Sequence, residues 1–329
     1  MEEGWAVFVG VDVGSLTTKV VLLSEEGELL WSSYRRNMGR PLEALKETFE
    51  ELARSFDLSA VRGLGATGSG RHLVRAACGG GLVRNEITAH AVAAMREVPE
   101  VRTILEIGGQ DSKLIVIRDG VVVDFSMNTV CAAGTGSFLD HQAQRLGIPV
   151  EELGRLALRS KNPVRIAGRC TVFAESDMIH KQQAGYPVED IVAGLMEAMA
   201  RNFIANLGRG KKLEGPFVFQ GGVAANAGMR WAFERMLGER VLVPQNHKVM
   251  GAIGAALLAM EAEEEGPPSL VGLLESDLRP SHFECQLCPN RCEVAVVLRD
   301  GDPVACWGDR CGRWGDNPSS ARSPLRTSS

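Results

Sequence analysis

The feature of this sequence that most constrains its fold is an internal repeat of one hairpin pattern. The first copy, "VGVDVGSLTTKVVLL", lies within residues 5–23, and the second, "LEIGGQDSKLIVI", lies within residues 101–125. Each copy reads as an apolar strand ending in an acid, a Gly turn with small polar residues, a lysine and a second strand. A repeated supersecondary unit of this kind predicts an internal duplication, with one hairpin in each of two α/β lobes.

Amphipathic patterns predict helices over residues 41–56, 136–147, 151–159, 173–184 and 188–207. The stretch "GPFVFQGGVAANAGMRWAF" (215–233) reads as a buried strand, a Gly-Gly turn and a helix. The predicted organisation is a first lobe at 1–100, a second lobe with the later helices and a small-residue return helix at 101–262, a linker at 263–281, a Cys-rich segment at 282–314 and a disordered tail at 315–329.

Charge and hydropathy exclude several classes of protein. The net charge of −5 and the scattered basic residues argue against a nucleic-acid binder held by phosphate contacts. The acidic start has no cleavable apolar segment and no run of 18 apolar residues occurs, so a cytoplasmic location is expected. Eight cysteines are many for such a location, where clustered cysteines more often bind metal than form disulfides.

The Gly turns of the repeat predict a nucleotide site. Such a turn exposes consecutive backbone N–H groups to phosphate oxygens, and glycine lets the phosphate approach closely. Two turns facing one another would grip a triphosphate, with the backbone of "VFQGGV" (218–223) against the base or ribose. Neither G-x-x-x-x-G-K-[ST] nor G-x-G-x-x-G after the first strand is present, which argues against a P-loop and a Rossmann site.

Two isolated cysteines stand just before predicted helices, Cys131 in "SMNTVCAAGTGSF" and Cys170 in "AGRCTVFAESDM". A helix N-terminus favours the thiolate, which is the metal-binding form. A [4Fe–4S] cluster takes four thiolates, so a two-fold homodimer with one cluster on its axis would use two from each subunit. The alternative interpretation is that both are buried structural cysteines.

The order of these motifs resembles the superfamily of acetate and sugar kinases, Hsp70 and actin, in which two ribonuclease-H-like lobes clamp ATP. More specifically, "IGGQDSK", "MNTVCAAGTGSF", "GRCTVFAESDMIHKQQAGYPVEDI" and "GGVAANAGM" resemble the ATP-dependent activators of 2-hydroxyacyl-CoA dehydratases and the ATPase subunits of benzoyl-CoA reductases. The resemblance covers residues 5–260. It implies a homodimer with one [4Fe–4S] cluster on Cys131 and Cys170, and ATP with Mg²⁺ bound in each subunit. It further implies a ferredoxin or flavodoxin donor and an acyl-CoA dehydratase or reductase as electron acceptor.

Roles for individual residues follow from the turns and from this resemblance. Asp12 and Asp111 are expected to hold Mg²⁺ or its waters, and Gln110 to orient the attacking water. Phosphate is expected to contact Gly14, Ser15, Leu16, Thr17, Lys19, Gly108 and Gly109. Adenosine is expected to lie against Gly221, Gly222 and Val223.

The Cys-rich segment predicts a second metal site. Its sequence, "FECQLCPNRCEVAVVLRDGDPVACWGDRCGRW" (283–314), contains C-x₂-C-x₃-C, a hairpin across "RDGD" and two later cysteines. This is a metal-knuckle pattern for zinc or an iron–sulfur centre, and unligated thiols are the alternative. The expected ligands are Cys285, Cys288, Cys292 and Cys311, which leaves Cys306 spare.

Three alternative functions remain open at this point. One is an ATPase component for a benzoyl-CoA-reductase-like or double-cubane-cluster enzyme. Another is a small-molecule kinase of the same fold, such as an amino-sugar kinase, which has no need of paired cluster cysteines. The third is an ATP-gated scaffold or metal sensor, which a test of acceptor-dependent electron flow would separate from an electron donor.

Overall fold

The computed structural model describes residues 6–128, 131–262, 268–315 and 318–322. These residues form two compact units, which divide after Ala89 and again after Met250. The first unit therefore contains both end regions of the chain, and the second contains its middle. Within the described residues, no helix is long and apolar enough to cross a membrane.

Each unit contains one five-stranded sheet of the same topology. The first sheet comprises β1 (Val7–Val13), β2 (Thr17–Ser24), β3 (Leu29–Arg36), β4 (Val61–Thr67) and β5 (Leu82–Val83). The second comprises β6 (Thr103–Ile107), β7 (Ser112–Arg118), β8 (Val121–Asn128), β9 (Phe217–Gln220) and β10 (Val241–Leu242). The strand orders are β3-β2-β1-β4-β5 and β8-β7-β6-β9-β10, with the first three strands antiparallel and the last two parallel to the central strand. The duplication predicted from the repeated hairpin is thus confirmed.

Ten α-helices cover these sheets in the part of the chain that is described. They are α1 (Pro41–Ala53), α2 (Arg71–Ala77), α3 (Glu86–Glu97), α4 (Gly136–Leu146), α5 (Val150–Ala157), α6 (Thr171–Gln183), α7 (Val188–Leu207), α8 (Ala227–Leu237), α9 (Met250–Glu261) and α10 (Leu270–Glu275). The helices predicted from apolar periodicity are all present, with ends that differ by a few residues. Most of α7 is buried, because the core of the second unit packs around it.

The return helix α9 packs against the first sheet, not in the second lobe where the sequence pattern placed it. Close approach explains this position: a Cβ at Gly10 would clash with the carbonyl oxygen of Ala252, and one at Gly65 with that of Ala255. The two glycines therefore provide the flat surface on which the small residues of α9 lie.

We expect Gly65→Ala to lower the free energy of unfolding by about 3 kcal/mol, because the added methyl group overlaps backbone that cannot move aside cheaply. Gly80→Ala is the matched control, since no atom lies within 4 Å of a Cβ built at that position. Urea denaturation of both variants measures the difference. Equal stability of the two variants would show that α9 does not pack on β4 in this way.

The C-terminal segment also belongs to the first unit. Strands β11 (Leu278–Glu284), β12 (Glu293–Arg299) and β13 (Asp302–Trp307) form an antiparallel sheet, which confirms the hairpin expected across "RDGD". Leu270 and Leu273 of α10 lie in the core of the first unit. Arg299 donates from Nη2 to the carbonyl oxygens of Ala76 and Ala77, at 2.9 and 3.0 Å, and so caps the end of α2.

The predicted linker and tail are only partly described. Residues 263–267 of the linker lie outside the described residues, whereas the rest of it contains α10 and the start of β11. Residues 316–317 and 323–329 of the tail likewise lie outside them. Between these two stretches, Pro318–Ala321 forms a 3₁₀ turn.

Candidate nucleotide and cysteine sites

The two repeated hairpins have equivalent charged pairs. In the first, Asp12 stands opposite Lys19 in the β1–β2 register, and Lys19 Nζ lies 2.9 Å from Asp12 Oδ2. In the second, Glu106 stands opposite Lys113 in the β6–β7 register, and Lys113 Nζ lies 3.1 Å from Glu106 Oε2. The side chains of Asp12, Glu106 and Lys113 are buried, and that of Lys19 is mostly so.

The register also makes the two turns equivalent. The pairs Val13–Thr18 and Ile107–Ser112 close turns of the same length, so that Gly14 corresponds to Gly108. The N–H of Gly14 donates to Thr17 O at 2.9 Å, and the N–H of Gly108 donates to Asp111 O at 3.0 Å. These two N–H groups, which were expected to contact phosphate, are therefore used to close their own turns. The predicted phosphate donors that stay available in these turns are therefore the groups of the other turn residues.

The same equivalence identifies an acid that the sequence interpretation missed. Asp111 takes the place of Thr17, whereas Glu106 takes the place of Asp12. Asp111 accepts from Lys113 Nζ at 2.8 Å, and Gln110 is exposed at the tip of the turn. The signal was present in the repeat itself, because Glu106 is the acid that ends the strand in the second copy.

Asn37 is a second residue that the sequence interpretation did not identify. Its Nδ2 donates to Gly14 O at 2.9 Å, and its backbone N–H donates to Leu16 O at 2.9 Å. One residue thus holds the first turn from both sides. Ser15 remains exposed between the two bonded carbonyls, and Thr17 is half-buried.

The predicted adenosine motif lies beside the second hairpin. Gly221 has a φ of 91°, and a Cβ there would clash with the carbonyl oxygen of Ile107 and lie 2.8 Å from Glu106 Oε1. Glycine is required on both counts. A 3₁₀ turn, Gly222–Ala225, follows, and Val223 packs near Gly136 at the start of α4. The structure therefore brings the motif, the turn and α4 together within the second unit.

His247 supports the Gly221 turn. Its Nδ1 lies 3.0 Å from the carbonyl oxygen of Gly221, while the N–H of Gly221 donates to His247 O at 2.9 Å. A carbonyl oxygen only accepts, so Nδ1 carries the proton. Burial lowers the pKa of His247, which favours a neutral imidazole at pH 7.

Helix α4 begins against the turn between β6 and β7. The N–H of Gly136 donates to Gly108 O and the N–H of Ser137 to Gly109 O, both at 2.9 Å. The Ser137 hydroxyl also donates to Gly109 O, at 2.6 Å. N–H groups in the first turn of a helix have no hydrogen-bond partner within that helix. The carbonyl oxygens of the Gly108–Gly109 turn are the partners of the first two N–H groups of α4.

Cys131 lies between this helix and strand β8. It is the N-cap of a 3₁₀ turn, Ala132–Gly134, and α4 starts at Gly136. Asn128 fixes it from both sides, accepting from Cys131 N at 3.0 Å and donating to Cys131 O at 2.8 Å. The predicted position at a helix N-terminus therefore holds for a short 3₁₀ turn rather than for α4 itself.

Cys170 is the N-cap of α6, as predicted. The Sγ of Cys131 lies 4.0 Å from the carbonyl oxygen of Arg169, so the two cysteine loops are in contact. Both cysteines are half-buried, whereas Cys78 is fully buried. This partial exposure differs from the alternative interpretation of both as buried structural cysteines.

The loop before Cys170 is held by residues that the sequence did not reveal. Ala167 N donates to Asp177 Oδ2 at 2.8 Å, and Arg201 Nη2 donates to Ile166 O at 3.0 Å. Asn202 donates from Nδ2 to Gly168 O. Three consecutive backbone groups are thus bonded to side chains of α6 and α7, which fixes the position of Cys170.

Of the four cysteines expected to form the second metal site, two are neighbours, since the N–H of Cys285 donates to Cys292 O at 2.8 Å. Cys285 is buried and accepts from Trp314 Nε1 at 3.4 Å, whereas Cys288 and Cys311 are exposed. No group of three or more His, Cys, Asp or Glu in the described ranges is arranged to hold a metal ion. Burial raises the pKa of Cys306, the predicted spare cysteine, to about 11. Trp314, the last residue of the Cys-rich segment, thus contacts one of the expected ligands, and the second metal site stays a prediction.

Comparisons with known proteins give relatives and solved structures that match more than three quarters of this chain. A relative from Clostridioides difficile, "2-hydroxyisocaproyl-CoA dehydratase activator", is 35% identical over 260 residues, covering 78% of this chain and 96% of the relative. The crystal structure of the Acidaminococcus fermentans (R)-2-hydroxyglutaryl-CoA dehydratase component A matches with a TM-score of 0.71 at 34% identity, over 78% of this chain and 98% of that one.

A second solved structure, the activator of the 2-hydroxyisocaproyl-CoA dehydratase from Clostridium difficile with bound ADPNP, matches with a TM-score of 0.70 at 32% identity. It covers 78% of this chain and 94% of that one. The sequence model of one family matches residues 9–259, which contain both hairpins, the Gly221 turn and the two cysteines. The chain belongs to the BadF/BadG/BcrA/BcrD ATPase family.

Proposed function

We propose that this ATPase is an activator that donates single electrons at low potential to an enzyme of the 2-hydroxyacyl-CoA dehydratase type. The observation that carries the proposal is the pair Cys131 and Cys170, which are half-buried and whose loops are in contact. The pair lies near α4, a helix whose first N–H groups bind the turn at Gly108–Gly109, which we call the phosphate turn. A relative at 35% identity is named for activation of such a dehydratase. A kinase of the same fold has no need of the cysteine pair.

The acids of the two hairpins are proposed to serve ATP hydrolysis. Asp12 and Glu106 end equivalent strands beside a Gly turn, where carboxylates suit Mg²⁺ or its waters. Each is paired with a lysine, which holds the carboxylate in place and adds positive charge near the phosphates. Asp111 and Gln110, at the tip of the second turn, remain candidates to bind Mg²⁺ and to orient the attacking water.

The cysteine pair fits a shared [4Fe–4S] cluster. Cys170 is the N-cap of α6, whose first N–H groups favour the negative charge of a thiolate, and Cys131 caps the short 3₁₀ turn that precedes α4. Each chain offers two such thiols and the cluster takes four, so we propose a homodimer in which each subunit supplies one pair. When bound, the cluster would supply one-electron transfer.

Contacts within the second unit connect the turn at Gly108–Gly109 to the Cys131 turn, so that a displacement of one would be transmitted to the other. Any displacement of the turn at Gly108–Gly109 moves the oxygens that receive the first N–H groups of α4. Helix α4 must then move with the turn or lose these hydrogen bonds. Because the Cys131 turn directly precedes α4, its orientation follows the state of the phosphate turn.

Electron transfer driven by ATP is the decisive test of this function. Anaerobically purified protein is reduced with ferredoxin or flavodoxin and mixed with a 2-hydroxyacyl-CoA dehydratase component. We expect that component to gain electrons only when ATP is hydrolysed, and ADPNP is the matched control. ATP-dependent phosphorylation of an amino sugar without any electron transfer would instead identify a kinase.

A further inference from the structure

Glu175 connects the two helices that follow the cysteines. It lies in the second turn of α6, and its carboxylate faces the C-terminal half of α4. Arg145 Nη1 lies 3.2 Å from Glu175 Oε1, and His141 Nδ1 lies 3.8 Å from Glu175 Oε2. One carboxylate on the Cys170 helix is thus shared by two side chains of the helix that starts on the phosphate turn.

The main pair is less exposed than an ordinary surface pair, and it is an ion pair in which Arg145 Nη1 makes no hydrogen bond. The side chains of Arg145 and Glu175 are 26% and 33% exposed, so solvent screens them less than a fully exposed pair. For comparison, Arg155 and Glu152 on α5 form a pair at 2.9 Å with exposures of 71% and 41%. That pair lies within one helix and connects no two elements.

A continuous series of contacts runs through the second unit. The turn at Gly108–Gly109 binds the first N–H groups of α4, α4 carries Arg145 at its other end, and Arg145 binds Glu175 on the helix that Cys170 caps. A helix transmits displacement along its axis because its own hydrogen bonds keep it rigid. This series of contacts therefore extends to Cys170 as well as to Cys131.

We propose that Glu175 is a positioning residue that couples the state of the phosphate turn to Cys170. Through its pair with Arg145, a displacement of α4 moves the start of α6 in concert with the Cys131 turn. Both thiols of one subunit then change orientation together. This inference rests on the proposed function, because the coupled cysteines matter only where they bind a common cluster.

The test measures how nucleotide changes access to iron. Anaerobically loaded homodimer is mixed with an Fe²⁺ chelator in the presence of ADP or of ADPNP, and the ratio of the two iron-removal rates is the nucleotide effect. We expect Glu175→Gln to reduce this ratio roughly threefold to tenfold. Iron content before chelation and ATP turnover should remain those of the natural protein.

Two further variants separate coupling from a general structural effect. Arg145→Gln should reduce the ratio as much as Glu175→Gln does, and the double variant should reduce it no further. Glu152→Gln, which breaks the exposed pair on α5, should leave it unchanged. A full nucleotide effect in Glu175→Gln, or no nucleotide effect in the iron-loaded natural protein, overturns the inference. Absence of iron from protein purified without oxygen overturns the proposed function instead.

Discussion

Asp12→Asn is expected to lower ATP turnover by about 100-fold or more, and Glu106→Gln to lower it by a similar factor. Each carboxylate is buried, is the last but one residue of its strand before a Gly turn, and is paired with a lysine. Removing one charge from such a position weakens the stabilisation of Mg²⁺ and of the charge that develops on phosphate. Losses of about 10² to 10³ are usual when one preorganised electrostatic group is removed from an active site. Steady-state phosphate release at saturating ATP measures the effect.

Asp111→Asn is the informative comparison. The register makes Asp111 equivalent to Thr17 rather than to Asp12, so its loss should lower ATP turnover less than the loss of Glu106 does. Asp124 lies on β8 and forms an ion pair with Lys211. Asp124→Asn is therefore the control for a change of charge alone. Thermal unfolding of each variant shows whether the unpaired lysine has destabilised the fold. Equal losses in Asp111→Asn and Glu106→Gln would contradict the equivalence of the two hairpins.

Cys170→Ser is expected to abolish electron transfer while ATP hydrolysis continues. Serine keeps the shape of the N-cap but does not replace a thiolate ligand. The hairpin acids and the Gly221 turn lie on other elements and should be unaffected. The measurement is ATP-dependent reduction of a dehydratase component beside phosphate release from the same sample.

Cys288→Ser is the matched control, because Cys288 is exposed in the C-terminal segment. It should leave both activities unchanged. Retention of electron transfer in Cys170→Ser, or its loss in Cys288→Ser, would move the redox centre to the C-terminal cysteines.

The sequence predicted the fold well because the repeat has a direct physical meaning. An acid, a Gly turn and a lysine at fixed spacing determine the register of a hairpin, and the same register occurs in both units. Cys170 and the Gly221 turn were also recognisable, since a helical pattern follows Cys170 and paired glycines indicate a turn.

What the sequence did not reveal depends on contacts between distant segments. The hydrogen bond from Ser137 to Gly109 and the one from the N–H of Ala167 to Asp177 exist only after α4 and α6 have packed. The position of α9 was misjudged for the same reason, since a small-residue helix fits any flat partner and only Gly10 and Gly65 select the first sheet. Spacing of cysteines likewise cannot show that Trp314 covers Cys285.

The most direct test of the central claim is the iron and acid-labile sulfide content of anaerobically purified protein, with and without Cys131→Ser. One shared cluster predicts about four irons per dimer in the natural protein and none in the variant. About four irons per dimer that survive the substitution, or no iron in either protein, would contradict a cluster held by Cys131 and Cys170.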